Sequence, residues 1–199
     1  STAITEVGAD DTYTVVLTSK PTSTVTVSLS LSDSTQLTLS TSSIAFTSST
    51  WSTAVTVTTT PTNDDVAEGT HGVNITHAAT GSNWNYNGIS ISSVSVSITD
   101  NDTAGVTVTQ SGGSTATTEA GVTDTYTIVL TSAPTSTVTV AMALGDSSQM
   151  SLSTSSIVFT TTNWNTAVTV TATATNDDIA EGTHGVNITH TGSSSNWNY

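Results

Sequence analysis

The sequence predicts an all-β protein made of tandem antiparallel β-sandwiches of immunoglobulin-like type. Three observations carry that expectation. Val, Ile and Leu recur at every second position over many short runs, the period of a strand with one buried face. Thr, which suits a pleated and half-buried surface, fills most of the alternate positions. Clusters such as "SKPTS", "SDSTQ" and "TGSNWN" punctuate the runs with turn-forming residues. About seven runs fall in roughly 100 residues, the strand density of an immunoglobulin-like sandwich. Ser and Thr make up roughly two-fifths of the chain, a polarity that by itself reads as disorder; the alternation overrules that reading.

Taken in order, Tyr13, Val15 and Leu17 alternate with Thr and Val, and Val25, Val27, Leu29 and Leu31 follow with the same period. Ile44 and Phe46, Val55 and Val57, then Val73 and Ile75 mark three further strands. A closing strand shows Ile89 and Ile91, then Val94, Val96 and Ile98, a change of parity that predicts a bulge.

The chain repeats itself. Residues 1–86 align without gaps on residues 114–199, with roughly 60 of about 86 positions identical. The expected domains are 1–102 and 103–199. Residues 87–113 occur once and hold a closing strand and, after "DNDTAG", an opening one. The first unit is therefore expected to lack its opening strand and the second its closing strand. A fragment of a longer array has that register, and so does a chain whose neighbours donate the missing strands. The linker "DNDTAG" is short and has no Gly/Ser tract, which predicts a rod.

Composition narrows the partners. The chain carries 15 acids, one basic residue (Lys20) and a formal net charge of -14. One lysine leaves no basic footprint for nucleic acid, and anionic membrane surfaces repel such a chain. No apolar run is long enough to span a bilayer, and there is no cysteine for a disulfide or thiolate site. The expected partners are cations, neutral glycans, neighbouring repeats of the same chain and identical chains in a filament.

The acids are not spread as a solvated face. Twelve of the 15 fall at four places, three of them present in both repeats. Glu6 and Glu119 precede the first full strand of each unit, and Asp33 and Asp146 sit in the "SDS" and "GDSS" turns. Asp64, Asp65 and Glu68, with Asp177, Asp178 and Glu181, lie in the repeated "TNDDxAEGTHGVNITH" loop, and Asp100 and Asp102 in "TDND". Carboxylates gathered at strand ends repel one another unless a cation neutralises them. A hard divalent ion does so, and calcium takes six to eight oxygens from carboxylates, carbonyls and water. In this loop the Val66 carbonyl, and Ile179 in the repeat, can supply a backbone oxygen between the acids.

The order Glu…Tyr-Thr-Val-x-Leu, an Asp turn, Asn-Asp-Asp-x-x-Glu-Gly and a final Val-x-Ile-x-Asp-Asn-Asp resembles the Calx-β domain. That family comprises calcium-binding regulatory domains of sodium–calcium exchangers and tandem repeats in large bacterial surface and adhesion proteins. The resemblance covers essentially the whole chain. It implies calcium ligation by Glu6, Asp33, Asp64, Asp65, Glu68, Asp100 and Asp102 in the first unit, and by Glu119, Asp146, Asp177, Asp178 and Glu181 in the second. The exchanger domains carry denser acidic runs, so fewer ions and weaker binding are expected here.

Other residues read as structure. His71 and His77 share strand parity but stand six residues, about 20 Å, apart on an extended strand, too far for one ion; packed or edge histidines are expected. Trp51 and Trp164 precede strands, while Trp84 and Trp197 sit in "SNWNY". Packing over the sandwich edge is the expectation for them. Sequons stand at Asn74, Asn101 and Asn187, where so Thr-rich a chain is expected to match by chance; Asn74 should face outward, which allows modification without implying it. No nucleophile–base arrangement or phosphate-cradling Gly loop is written in the sequence, so an enzyme is not expected. The functional expectation is a structural calcium-binding repeat of an extracellular rod, stalk or fibre on a bacterial surface, with calcium rigidifying interdomain joints. The alternative is an adhesin module gripping glycans or proteins through the Asn-Trp-Asn loops.

Overall fold

The computed structural model describes residues 2–82, 85–195 and 199. The chain is all-β and forms two compact units, Ser1–Asp64 with Glu68–Asn101 and Asp65–Ala67 with Asp102–Tyr199. The first holds β1 (Thr2–Thr5), β2 (Asp11–Val15), β3 (Val25–Leu31), β4 (Leu37–Leu39), β5 (Ser43–Phe46), β6 (Val55–Pro61), β7 (His71–Gly81) and β8 (Val94–Thr99). The second holds β9 (Val106–Gln110), β10 (Asp124–Leu130), β11 (Val138–Leu144), β12 (Met150–Leu152), β13 (Ser156–Phe159), β14 (Val168–Ala174) and β15 (Ile188–Ser194).

Each unit is a sandwich of two sheets. In the first, β1-β8-β7-β3-β5 faces β2-β6-β4; in the second, β13-β11-β15 faces β12-β14-β10-β9. The alternation in sequence becomes the in–out pleat. Val25, Val27 and Leu29 of β3 are buried, while Thr26 and Ser28 between them are only partly covered. The first core joins these to Val57, Leu37, Phe46, Val73, Ile75, Val96 and Ile98. Each such side chain contributes roughly 1.5–3 kcal/mol when fully buried. The second core is built on the counterparts Val138, Val140, Phe159 and Val170. Trp51 packs against the first core and Trp164 against the second. Asn74 is exposed between buried Val73 and Ile75, as its parity predicts.

Two elements differ from the sequence expectation. The closing strand begins at Val94, and residues 89–93 are not extended ladder, so the change of parity marks the strand's start and no bulge. The Gly88 amide donates to the Ala79 carbonyl and holds the chain in a turn just before, leaving Ile89 40 % exposed. The second difference is β1. Its apolar residues, Ala3 and Ile4, are adjacent and give no alternation to read, yet it pairs with β8, Thr2 opposite Val96 and Ile4 opposite Ile98. That pairing is parallel, the one departure from antiparallel order among the described strands.

Two tyrosines tie loops to the cores. The Tyr86 hydroxyl donates to the Ser19 carbonyl at 2.7 Å and accepts from the Ser19 amide at 3.0 Å. Tyr199 repeats the arrangement on Ser132, at 2.7 and 3.2 Å.

Candidate metal centre

In the first unit, topology draws three acidic segments to one sheet end. β1 delivers Glu6, whose amide donates to the Thr99 carbonyl at 3.1 Å and so places it beside the end of β8. Asp100 follows β8 directly. Its Oδ2 accepts the amides of Glu68 and Gly69, both at 2.6 Å. Two successive N–H groups converging on one oxygen form an anion cradle, and Gly69 supplies the left-handed φ of 71° in that turn. Glu68 is thereby held against Glu6, a carboxylate only 4 % exposed.

Ligand atoms of Glu6, Glu68 and His71 all lie within 4.8 Å of one another, and those of Glu6 and Asp100 are equally close. The Gln36 side-chain amide donates to Glu68 Oε1 at 3.0 Å and fixes its rotamer. His71 Nδ1 lies 2.9 Å from the Gly69 carbonyl. A carbonyl only accepts, so Nδ1 carries the proton and Nε2 is left to face Glu68 Oε2 at 3.9 Å. Both of these buried atoms lack a hydrogen-bond partner among the described residues. Two acceptors turned toward each other call for a cation, either a second proton on the imidazole or a metal ion. Burial, and then the charge of Asp64, push the Glu68 carboxyl above its ordinary value.

The second unit repeats the set in a more open form. Ligand atoms of Glu119, Asp177 and Glu181 lie within 4.8 Å of one another. Gln149 donates to Glu181 Oε1 at 2.9 Å, and His184 Nε2 faces Glu181 Oε2 at 3.9 Å. Glu181 and His184 are exposed, whereas Glu68 and His71 are half-buried.

Neither Asp33 nor Asp146 belongs to these clusters. Asp33 and Asp146 are exposed and folded back on their own turns, accepting from Thr35 Oγ1 at 2.6 Å and Ser148 Oγ at 2.5 Å. Those hydroxyls, with the adjacent amides, hold both carboxyls below the usual range. Asp64 is half-buried beside Glu68 in charge range. Asp65, Val66 and Asp102 fall among the residues of the second unit. Asp178 is exposed, and Ile179, 63 % exposed, donates its amide to Asp177 Oδ1 at 2.8 Å. Trp84 and Trp197, with Asn83, Asn196 and Asn198, lie outside the described residues.

Sequence reasoning did not find Gln36, Gln149, His71 or His184. The signals were present, since Gln follows the Asp turn in both repeats and "EGTH" places His three residues after Glu twice. Treating His71 and His77 as a pair obscured their separate roles. His77 Nδ1 lies 3.1 Å from the Ser92 carbonyl, which makes Nε2 the acceptor for the Tyr13 hydroxyl at 3.0 Å. His77 is a packed histidine, and His71 belongs to the acidic cluster.

The fold and the clusters define a class: an all-β sandwich protein with carboxylates gathered at the ends of its strands. No protein-family model matches the chain, and no curated protein matches it in sequence. Its structure is similar to the crystal structure of CBD12 from CALX1.2, at 14% identity and a TM-score of 0.39 over 96% of this chain and 76% of that one. It is similar to calcium binding domain CBD12 of CALX1.1 at 14% identity and a TM-score of 0.38, over 88% and 73%. A third similar structure is the CsuC-CsuE chaperone-tip adhesion subunit pre-assembly complex from archaic chaperone-usher Csu pili of Acinetobacter baumannii. There the identity is 9% and the TM-score 0.37, over 94% and 93%. Among the described residues, no helix is long and apolar enough to cross a membrane.

Proposed function

We propose that the chain is a calcium-binding structural repeat of an extracellular surface rod, stalk or fibre, of Calx-β type, in which bound calcium stiffens the chain. The observation that supports this most is the buried Glu6 carboxylate gathered with Glu68, His71 and Asp100, with Glu68 Oε2 and His71 Nε2 facing each other. The donor set is dominated by carboxylate oxygens and has no thiolate, which suits a hard cation. Glu6, Glu68 and Asp100 are the proposed inner ligands of the first unit, and Glu119, Asp177 and Glu181 those of the second. Asp33, Asp64, Asp65, Asp102, Asp146, Asp178 and the carbonyls of Val66 and Ile179 complete the proposed set. Calcium replaces mutual repulsion by shared ligation, and an ion that binds only the folded state stabilises it by mass action.

The test is thermal unfolding of the 199-residue chain in millimolar calcium and in excess chelator. A rise of many degrees with calcium, absent with magnesium at the same ionic strength, is the expected result. Identical curves would overturn the reading.

A further inference from the structure

One nitrogen stands among the oxygens of the first unit's acidic centre. Ligand atoms of Glu6, Glu68 and His71 lie within 4.8 Å of one another, and Glu6 is equally close to Asp100. Glu6 therefore borders two corners, an oxygen-only one with Asp100 and one that contains an imidazole. Calcium takes oxygen ligands, whereas imidazole suits zinc and its first-row neighbours. The imidazole corner joins the end of β1 to the start of β7, which lie on either side of β8.

His71 carries the supporting contacts of a ligating histidine. Its Nδ1 lies 2.9 Å from the Gly69 carbonyl, which fixes the proton there and leaves Nε2 as the lone pair. Metal-bound histidines as a rule donate their other ring N–H to a carbonyl or carboxylate in this way. Nε2 then faces Glu68 Oε2 at 3.9 Å, and these two buried atoms have no hydrogen-bond partner among the described residues. Zinc bonds of about 2.0–2.1 Å to nitrogen and about 2.0–2.2 Å to oxygen together span that gap. Gln36 donates to the other oxygen, Oε1, at 3.0 Å and keeps Oε2 turned to the ring. Ligating carboxylates are supported in the same manner. Glu6, 4 % exposed, closes the inner side. The side chains of His71 and Glu68 keep 22 % and 31 % exposure, shallow enough for an ion to enter. The second unit sets its histidine alike, with His184 Nδ1 3.1 Å from the Gly182 carbonyl and Nε2 3.9 Å from Glu181 Oε2. There, however, the ligand atoms gathered with Glu181 are those of Glu119 and Asp177. The aim of the ring is thus built twice, and a third ligand joins it in the first unit.

We propose that Glu6, Glu68 and His71 form a site for a transition-metal ion of the zinc class, bound through His71 Nε2, Glu68 Oε2 and the Glu6 carboxylate. Water fills the remaining position on the exposed side, as it does where zinc has three protein ligands. The ion fastens the end of β1 to the start of β7 across β8. This site goes beyond the calcium reading and does not rest on it, because the nitrogen that selects the ion is not a calcium donor.

The experiment titrates zinc chloride into the full 199-residue chain, stripped of metal and free of calcium, and follows binding by calorimetry. One tight zinc per chain is expected. His71→Ala should weaken it at least about tenfold, and Gln36→Ala, which frees the Glu68 carboxylate, by about tenfold. His184→Ala should leave the tight site unchanged, and melting curves in chelator check that each variant is folded. In the parent chain, nitrogen-15 spectra of the imidazoles should show zinc moving the Nε2 signal of His71 while its Nδ1 keeps its proton. Absence of binding, affinity indifferent to His71→Ala, loss on His184→Ala instead, or ligation through Nδ1 would each overturn the proposal. Calcium is read separately, as the melting shift of the same chain. Zinc bound here without a calcium shift would overturn the calcium reading alone, and a calcium shift without zinc binding would overturn this site alone.

Discussion

His71 Nε2 stands 3.9 Å from Glu68 Oε2, and His184 Nε2 stands 3.9 Å from Glu181 Oε2. In both units the other imidazole nitrogen faces a glycine carbonyl, at 2.9 and 3.1 Å. The ring is therefore aimed, and the facing pair of acceptors is a built feature of the repeat that carries specific consequences.

Replacing Glu68 with Gln keeps an oxygen for the Gln36 amide but removes the buried charge. In chelator, Glu68→Gln should unfold at the same temperature as the parent or higher, because the repulsion from Asp64 and Asp100 is gone. In calcium it should lose more than half of the parent's gain. Paired melting curves decide this. A variant destabilised in chelator yet fully responsive to calcium would contradict the site.

Acid should first stabilise the calcium-free chain and then destabilise it. Glu68 binds its proton more tightly folded than unfolded, so stability grows as pH falls through its folded value toward the ordinary 4.5. Asp33, Asp124 and Asp146 are shifted the other way by hydrogen bonds, so their contribution is lost as pH falls below the ordinary 3.8. The unfolding midpoint in chelator should climb from neutral pH, pass a maximum and fall. Glu68→Gln should flatten the climb, and a parent curve that only descends from neutral pH would refute the assignment.

The Tyr86 hydroxyl holds both backbone groups of Ser19. Tyr86→Phe leaves the ring packed but strands those groups, at a cost of about 1–3 kcal/mol. Urea unfolding monitored by Trp fluorescence measures it, and a neutral substitution would show the contact to be incidental.

Phe46 is 0 % exposed at the centre of the first core, as Phe159 is in the second. Phe46→Ala should cost about 3–5 kcal/mol, the range for a large aromatic deleted from a packed interior. A cost below about 1 kcal/mol, the scale of a surface change, would mean that the first core is not packed around it.

Much of this was legible along the chain. Val25, Val27 and Leu29 alternate because one face of β3 is buried, and a period of two survives any neighbourhood. The placement of Glu6 and Glu68 at strand ends was likewise readable, because Glu119 and Glu181 recur at the same offset in the second repeat. β1 was not legible, since adjacent Ala3 and Ile4 carry no period and its partner lies more than ninety residues away, Thr2 opposite Val96. Nor was the role of His71 legible. Its strand parity is identical to that of His77, and only the Gly69 turn directs its ring to the carboxylates.

The sequence by itself determined the all-β class, the duplication, the acidic character and the core positions, because each is written in local period or recurrence. Only the tertiary structure decided which acids meet and which stay on their own turns. It also decided that Val73 and Ile75 are sealed under β8, with Val96 opposite Val73 and Val94 opposite Ile75. The reason is physical: burial belongs to the pair of strands that meet, and a segment's own period says which face it offers but not what covers it.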